Sequence, residues 1–167
     1  MSSEQTRTLS VLPIKGAVLF PSLLMPLSVG RERSKLAVEA ATASEDKTLL
    51  IVAQRDPAVE DPTFEQLHSV GTEAIIKRLE RGDDVIHVIV QGTRRMELLE
   101  EVTATPHLQA RVRALDEPKD EGTEIDALQR AIIDVAGGIQ AMSQPEGQLG
   151  VAQILSQFKD LLQQAYL

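Results

Sequence analysis

Cysteine and tryptophan are absent from this 167-residue chain, and three phenylalanines and one tyrosine are its only aromatics. Without cysteine there are no disulfides, no thiolate nucleophile and none of the usual structural zinc sites. With so few rings the core must be aliphatic, and a stacking platform for single-stranded nucleic acid has almost no material. Cations are also in the minority: 17 Lys and Arg face 25 Asp and Glu, for a net charge of −8. That balance argues against a footprint on a phosphate backbone. No apolar run approaches the roughly 18 residues of a membrane span, and the opening MSSEQTRT lacks the basic-then-apolar order of a secretory signal. The expectation is a cytoplasmic protein with no membrane partner.

Catalytic patterns are missing as well. No Gly-x-x-x-x-Gly-Lys loop is present to cradle phosphates. His68, His87 and His107 are far apart and lack the spacing of a helical metal site. Ser22, Ser28 and Ser34 stand in no nucleophile elbow. The Asp83-Asp84 pair reads as a solvated turn, and the acidic run 116–121 as a charged linker. The pattern therefore supplies no catalytic residue, no metal site and no cofactor.

What the chain does have is a hydrophobic content of 43%, a normal globular value, and a change of character near Asp116. Residues 1–8 are expected to be disordered. Residues 9–116 form a β-rich domain, 117–122 a linker and 123–167 a helical part, so the fold class is α+β. Residues 9–14 and 23–29 read as strands between Gly16, Pro21, Pro26 and Gly30. Residues 31–44 read as a short helix with Leu36, Ala37, Ala40 and Ala41 on one face. The run 47–54 is continuously apolar, as a strand buried on both sides should be. Residues 56–67 then form a polar loop.

A hairpin follows, with strands at 72–80 and 84–90 around Arg81-Gly82-Asp83, where Gly82 is expected to supply a positive φ. Ile86, Val88 and Val90 share one face of its second strand, and Val85, His87 and Ile89 the other. Residues 94–103 and 109–115 read as two more strands, with helix the competing reading for 94–101. Six or so short strands and one helix suggest a strongly bent sheet or partial barrel.

Beyond the linker, Ile125, Leu128, Ile132, Val135, Ile139 and Met142 alternate spacings of three and four, a helical seam. Gly137-Gly138 lies within it and is a place for a bend. A second helix is expected over 151–165. The chain then stops at Tyr166-Leu167, which reads as a helix continuing in a longer parent or as a cut boundary.

One segment reads as a surface: Phe20-Pro21-Ser22-Leu23-Leu24-Met25-Pro26. Its prolines hold it extended and remove backbone donors from a sheet ladder. Leu23, Leu24 and Met25 are consecutive, and a strand sends neighbours to opposite faces. Two readings stand. All three are buried beneath helix and loops, or Phe20, Leu23, Leu24 and Met25 line an apolar groove for extended or unfolded polypeptide, with Met25 suited to varied contacts.

Several short motifs occur together in order: Leu12-Pro13, Phe20-Pro21, Pro26, Val29-Gly30-Arg31 and Ser34, then Gln54-Arg55-Asp56 and Val70-Gly71-Thr72. They continue through Gly82-Asp83, Val90-x-Gly92 with Arg95, and Pro106-x-Leu108-x-Ala110. This series resembles the N-terminal domain of the Lon family of ATP-dependent serine proteases over nearly all of residues 9–115. Lys15-Gly16 departs from the usual arginine plus polar residue, and Ser22 stands where the family usually has glycine. The resemblance implies a small PUA-like β-barrel followed by a helical subdomain. It also implies a non-catalytic role in selecting unfolded or tagged proteins for ATPase and protease domains elsewhere in a parent chain, in protein quality control, with homo-oligomer assembly. Two other readings are a free-standing adaptor of the same family and, by the fold analogy alone, an RNA-binding module using Arg78, Arg81, Arg94 and Arg95.

Overall fold

The computed structural model describes residues 6–117 and 122–143. The chain divides into two compact units, Met1–Asp116 and Glu117–Leu167. The first contains strands β1 (Thr6–Ile14), β2 (Leu24–Val29), β3 (Thr48–Ala53), β4 (Val70–Arg81), β5 (Ile86–Thr103) and β6 (Gln109–Ala114), with helix α1 (Glu32–Ala43) between β2 and β3. The second contains α2 (Thr123–Ser143).

The strand order is β2-β5-β4-β3-β1-β6, and β5 also pairs with β6. All neighbours are antiparallel except β1 and β3. A crossover through α1 makes that parallel pair possible, since two parallel strands cannot be joined by a tight turn. β5 is the spine: its 18 residues pair with β2 and β4 at the start and with β6 at the end. Register shifts at Glu73/Ala74, Ile76/Arg78, Leu98/Glu100 and Glu101/Thr103 mark the irregularities that let so long a strand curve. The result is a sheet bent back on itself and not a clean barrel, because β2 hangs outside the ring of pairings.

The bend produces two apolar clusters fed by alternate residues of the same strands. Leu12 and Ile14 of β1 and Leu49 and Ile51 of β3 meet Val38 and Ala41 of α1 and Ile86, Val88 and Val90 of β5. Leu9 and Val11, with Leu50 and Val52, instead meet Met96, Leu98, Leu108, Ala110 and Val112. Every residue of Leu49–Val52 is at most 2% exposed, so the expected doubly buried strand is present.

Some elements differ from expectation. β1 begins at Thr6, so Thr6–Thr8 are not disordered: they are paired with Arg113, Val112 and Arg111 of β6. Residues 1–5 lie outside the described residues. The strands expected at 84–90 and 94–103 are one continuous β5, and helix does not form at 94–101, because pairing with β4 and β6 outweighs intrinsic preference. In α1 the buried face is Ser34, Ala37, Val38 and Ala41, while Leu36 is 39% exposed. Small residues at that true three-and-four spacing let the helix lie close on β1 and β3, where a leucine would hold it off. Gly82 keeps a negative φ: its N–H donates to Val85 O at 2.9 Å, and a side chain there would crowd that same oxygen at 3.0 Å.

Ser22, in the family's glycine position, does have φ +67° and so keeps a glycine-like backbone. α2 runs unbroken through Gly137-Gly138. Leu128, Ile132, Val135 and Ile139 of its seam are all exposed, and the second helix expected at 151–165 lies outside the described residues.

Polar groups fix the ends of the elements. His107 is 7% exposed, and both the Ser10 hydroxyl and the Gln109 amide lie 3.1 Å from its Nε2. Burial disfavours the charged ring and pushes its pKa below the ordinary value. A proton on Nε2 would also cost the Gln109 bond, since an amide N–H can only donate there, while the Ser10 hydroxyl can turn to accept. The unfolded chain therefore takes up this proton first as pH falls, so stability is full above about pH 6.5 and drops below it. Urea-unfolding midpoints measured from pH 8 to pH 5 are expected to show this decline, and His107→Gln to flatten it.

Candidate functional site

Two openings lie near the proline-bracketed segment. The first is the outer face of β2, β5 and β4. β2 follows Ser22, and its register with β5 sets Leu24 against Gln91, Pro26 against Ile89 and Ser28 against His87. In β4, Arg78 lies against Ile89 and Glu80 against His87. Leu24 is 62% exposed, Pro26 is exposed, and Ile89 projects beside them. A shallow groove of about 510 Å³ runs along this face, lined by Pro26, Ser28, Ile89, His87, Arg78 and Glu80.

Leu23 and Met25 point the other way, half-buried against the α1-side cluster. Neither earlier reading of the segment is thus complete. Period-two alternation divides the three residues, leaving one outside and two packed.

β2 is also the only described strand with a single partner. The Gly92 N–H donates to Leu23 O, so by alternation Met25, Leu27 and Val29 turn their backbone groups to β5. Leu24, Pro26 and Ser28 turn theirs to the open edge, and Pro26 has no N–H to offer there.

The second opening, about 390 Å³, lies on the other side of the 15–23 loop. Val18, Phe20 and Val70 form its apolar walls, with Thr72, His68 and Arg95 among its polar members. The loop is held over it from both ends. Thr72 Oγ1 donates to Leu19 O at 2.6 Å, Ser22 N–H donates to Gly92 O at 3.0 Å, and Gly92 N–H donates to Leu23 O at 2.9 Å. Phe20 is therefore separated from Leu24: the structure does not bring the four expected residues into one groove.

Val18, Val70, Ile89 and Arg95 were not among the expected site residues. Val18 had a faint signal, as an apolar residue between Gly16 and Pro21 in a loop. Ile89 was visible only as a member of the outer strand face. Arg95 carried only the motif signal with Val90-x-Gly92 and a place in the arginine group considered for RNA, neither of which points to this opening.

Electrostatics separate those two arginines. Glu73 is 5% exposed, and Arg7 Nη1 at 2.7 Å, Arg94 Nε at 2.9 Å and Thr93 Oγ1 at 3.0 Å all donate to its carboxylate. Arg78 pairs with Glu80 and Arg81 with Glu39. Three of the four arginines considered for an RNA surface are thus neutralised by glutamates. Among the described residues no cluster of three or more His, Cys, Asp or Glu has metal-binding geometry.

A family model for the ATP-dependent protease La (LON) substrate-binding domain matches residues 8–167. The Lon protease of Nitrosococcus oceani is 45% identical over 156 residues, 93% of this chain and 20% of that protein. The Lon protease of Heliobacterium modesticaldum is 35% identical over 132 residues, 78% of this chain and 16% of that one. The chain therefore spans a fifth or less of the length of these relatives. Among solved structures, the N-terminal domain of Mycobacterium avium complex Lon protease superimposes with a TM-score of 0.66 at 22% identity, covering 95% of this chain and 80% of that one. A Lon N-terminal domain protein from Xanthomonas campestris gives 0.56 at 19% identity, covering 77% and 72%.

Proposed function

This chain belongs to the LON substrate-binding domain family, and from that premise we propose that it is the non-catalytic recognition part of an ATP-dependent Lon-type protease. In this reading it holds unfolded or tagged polypeptides in cytoplasmic protein quality control. ATPase and protease domains elsewhere in the parent chain do the cutting. The observation that carries the reading is the outward-facing Leu24-Pro26-Ile89 surface on paired strands. Apolar side chains fixed on a ladder, in a chain with net charge −8, give a contact surface that depends little on the sequence it meets.

One shallow groove buries little area, so each copy binds weakly. A homo-oligomer gains strength by presenting several copies to one substrate.

Titration of this chain with a labelled, permanently unfolded polypeptide is expected to show weak, saturable binding, with no hydrolysis of ATP or peptide. Leu24→Asp should weaken binding several-fold without moving the melting temperature, since the side chain is mostly in water already. Backbone amide shifts should move along β2 and the 15–23 loop. ATP turnover by the pure chain, or shifts confined to α2, would overturn the reading.

A further inference from the structure

Arg95 stands apart from the other arginines of the β unit. Arg7, Arg78, Arg81, Arg94, Arg111 and Arg113 each have a carboxylate partner. Arg31, Arg33 and Arg55 donate to backbone carbonyls. The Arg95 guanidinium has no such partner among the described residues, and its Nε is enclosed without an acceptor. Glu97, two residues along β5 on the same face, is already engaged by Arg113.

Arg95 is paired across the ladder with Thr72 and lines the opening walled by Val18, Phe20 and Val70. Val18 and Val70 are 53% and 42% exposed, so the apolar wall is reachable from solvent. A half-buried cation whose Nε is enclosed without an acceptor, beside reachable apolar side chains, has a definite complement: an anion joined directly to something greasy.

We propose that this opening takes the last residue of a polypeptide, with its α-carboxylate on the Arg95 guanidinium and its apolar side chain against Val18, Phe20 and Val70. The inference rests on the polypeptide-binding reading above and adds to it a preference for chain ends. Chain connectivity favours this ligand over an internal acidic residue. In a C-terminal residue the carboxylate and the side chain share one Cα, so both fit a single opening of about 390 Å³. In an extended chain an aspartate and its apolar neighbour project to opposite faces, and one of them misses the opening.

The probes are fluorescent peptides of one sequence, labelled at the N-terminus. One ends in a free-acid leucine and one in leucine amide. A third ends in free-acid glycine, and a fourth carries an internal Leu-Asp pair and an amidated end. Anisotropy titrations with this chain are expected to rank the leucine acid first, with the other three at least about ten-fold weaker, as loss of a charge-assisted bond or an apolar anchor implies. Arg95→Gln should erase the acid-over-amide preference. Val70→Glu, at an exposed position, should do the same by supplying an internal carboxylate, and it decides the matter if Arg95→Gln fails to fold.

Equal binding of acid and amide by the unmodified chain would overturn the proposal, as would an acid preference that survives in a folded variant. Equal binding of the leucine and glycine acids would reduce the site to a simple anion contact and overturn it too. If a long unfolded polypeptide still binds in those cases, the general reading stands and only the end-specific one falls. If nothing binds, both fall.

Discussion

Gly92→Ala is expected to be among the most damaging single substitutions in the β unit, costing about 3 kcal/mol, the upper end of typical overpacking penalties. A methyl group at this position would sit on the Phe20 carbonyl oxygen, within 3.1 Å of that carbonyl's carbon and 3.2 Å of Pro21 Cα. All three atoms are backbone, so no side chain can swing aside to make room. The neighbouring chain is tied to Gly92 through both its N–H and its C=O. Relief therefore requires moving the whole 19–23 segment, which breaks those bonds and the Thr72–Leu19 bond behind them. Denaturant unfolding measures the loss. Because the same segment walls one opening and leads into β2, polypeptide binding should fall further than stability alone accounts for. A Gly92→Ala protein as stable as the parent would show that the loop does not lie on β5.

At least as large an effect is expected from Arg7→Met and Arg94→Met made together. Each alone leaves Glu73 with one guanidinium and Thr93, and should be tolerated moderately. The double change leaves a carboxylate of 6% side-chain exposure with only a hydroxyl donor. Removing the partners of an enclosed charge costs about 3–5 kcal/mol, mostly as unrelieved desolvation. Adding Glu73→Leu should return much of that loss, since a fully apolar replacement of an enclosed ion cluster is often near neutral. Chemical-denaturation curves of the single, double and triple variants check this. A double variant no worse than the sum of its parents would mean that water already reaches Glu73.

How far the sequence speaks can be judged from these same positions. Strands announced themselves wherever pattern and burial agree: the unbroken run Leu49–Val52 and the alternation of Ile86, Val88 and Val90 both reflect what one face of a sheet must bury. Continuity was not legible. Residues 94–101 have helix-favouring composition, and only pairing with two distant strands makes them the second half of β5.

The apolar segment was located from its prolines, and Leu24 does project outward. Its division from Phe20 depends on a loop folding over Gly92, a contact between residues some seventy positions apart that no local pattern encodes. The same holds for Arg95. What sets it apart from Arg94 is a lack of partners, and partners are a property of the fold.

The missing donor at Pro26 bears on self-association. A chain that meets unfolded polypeptide at high local concentration risks becoming a seed, with one strand recruiting the next into a growing fibre. Among the described strands every edge but that of β2 is closed by the protein's own ladder, and Pro26 interrupts the remaining row of hydrogens at its midpoint. In the proposed role, a polypeptide would thereby be steered toward side-chain contact, which is reversible, and away from strand-on-strand templating, which is not.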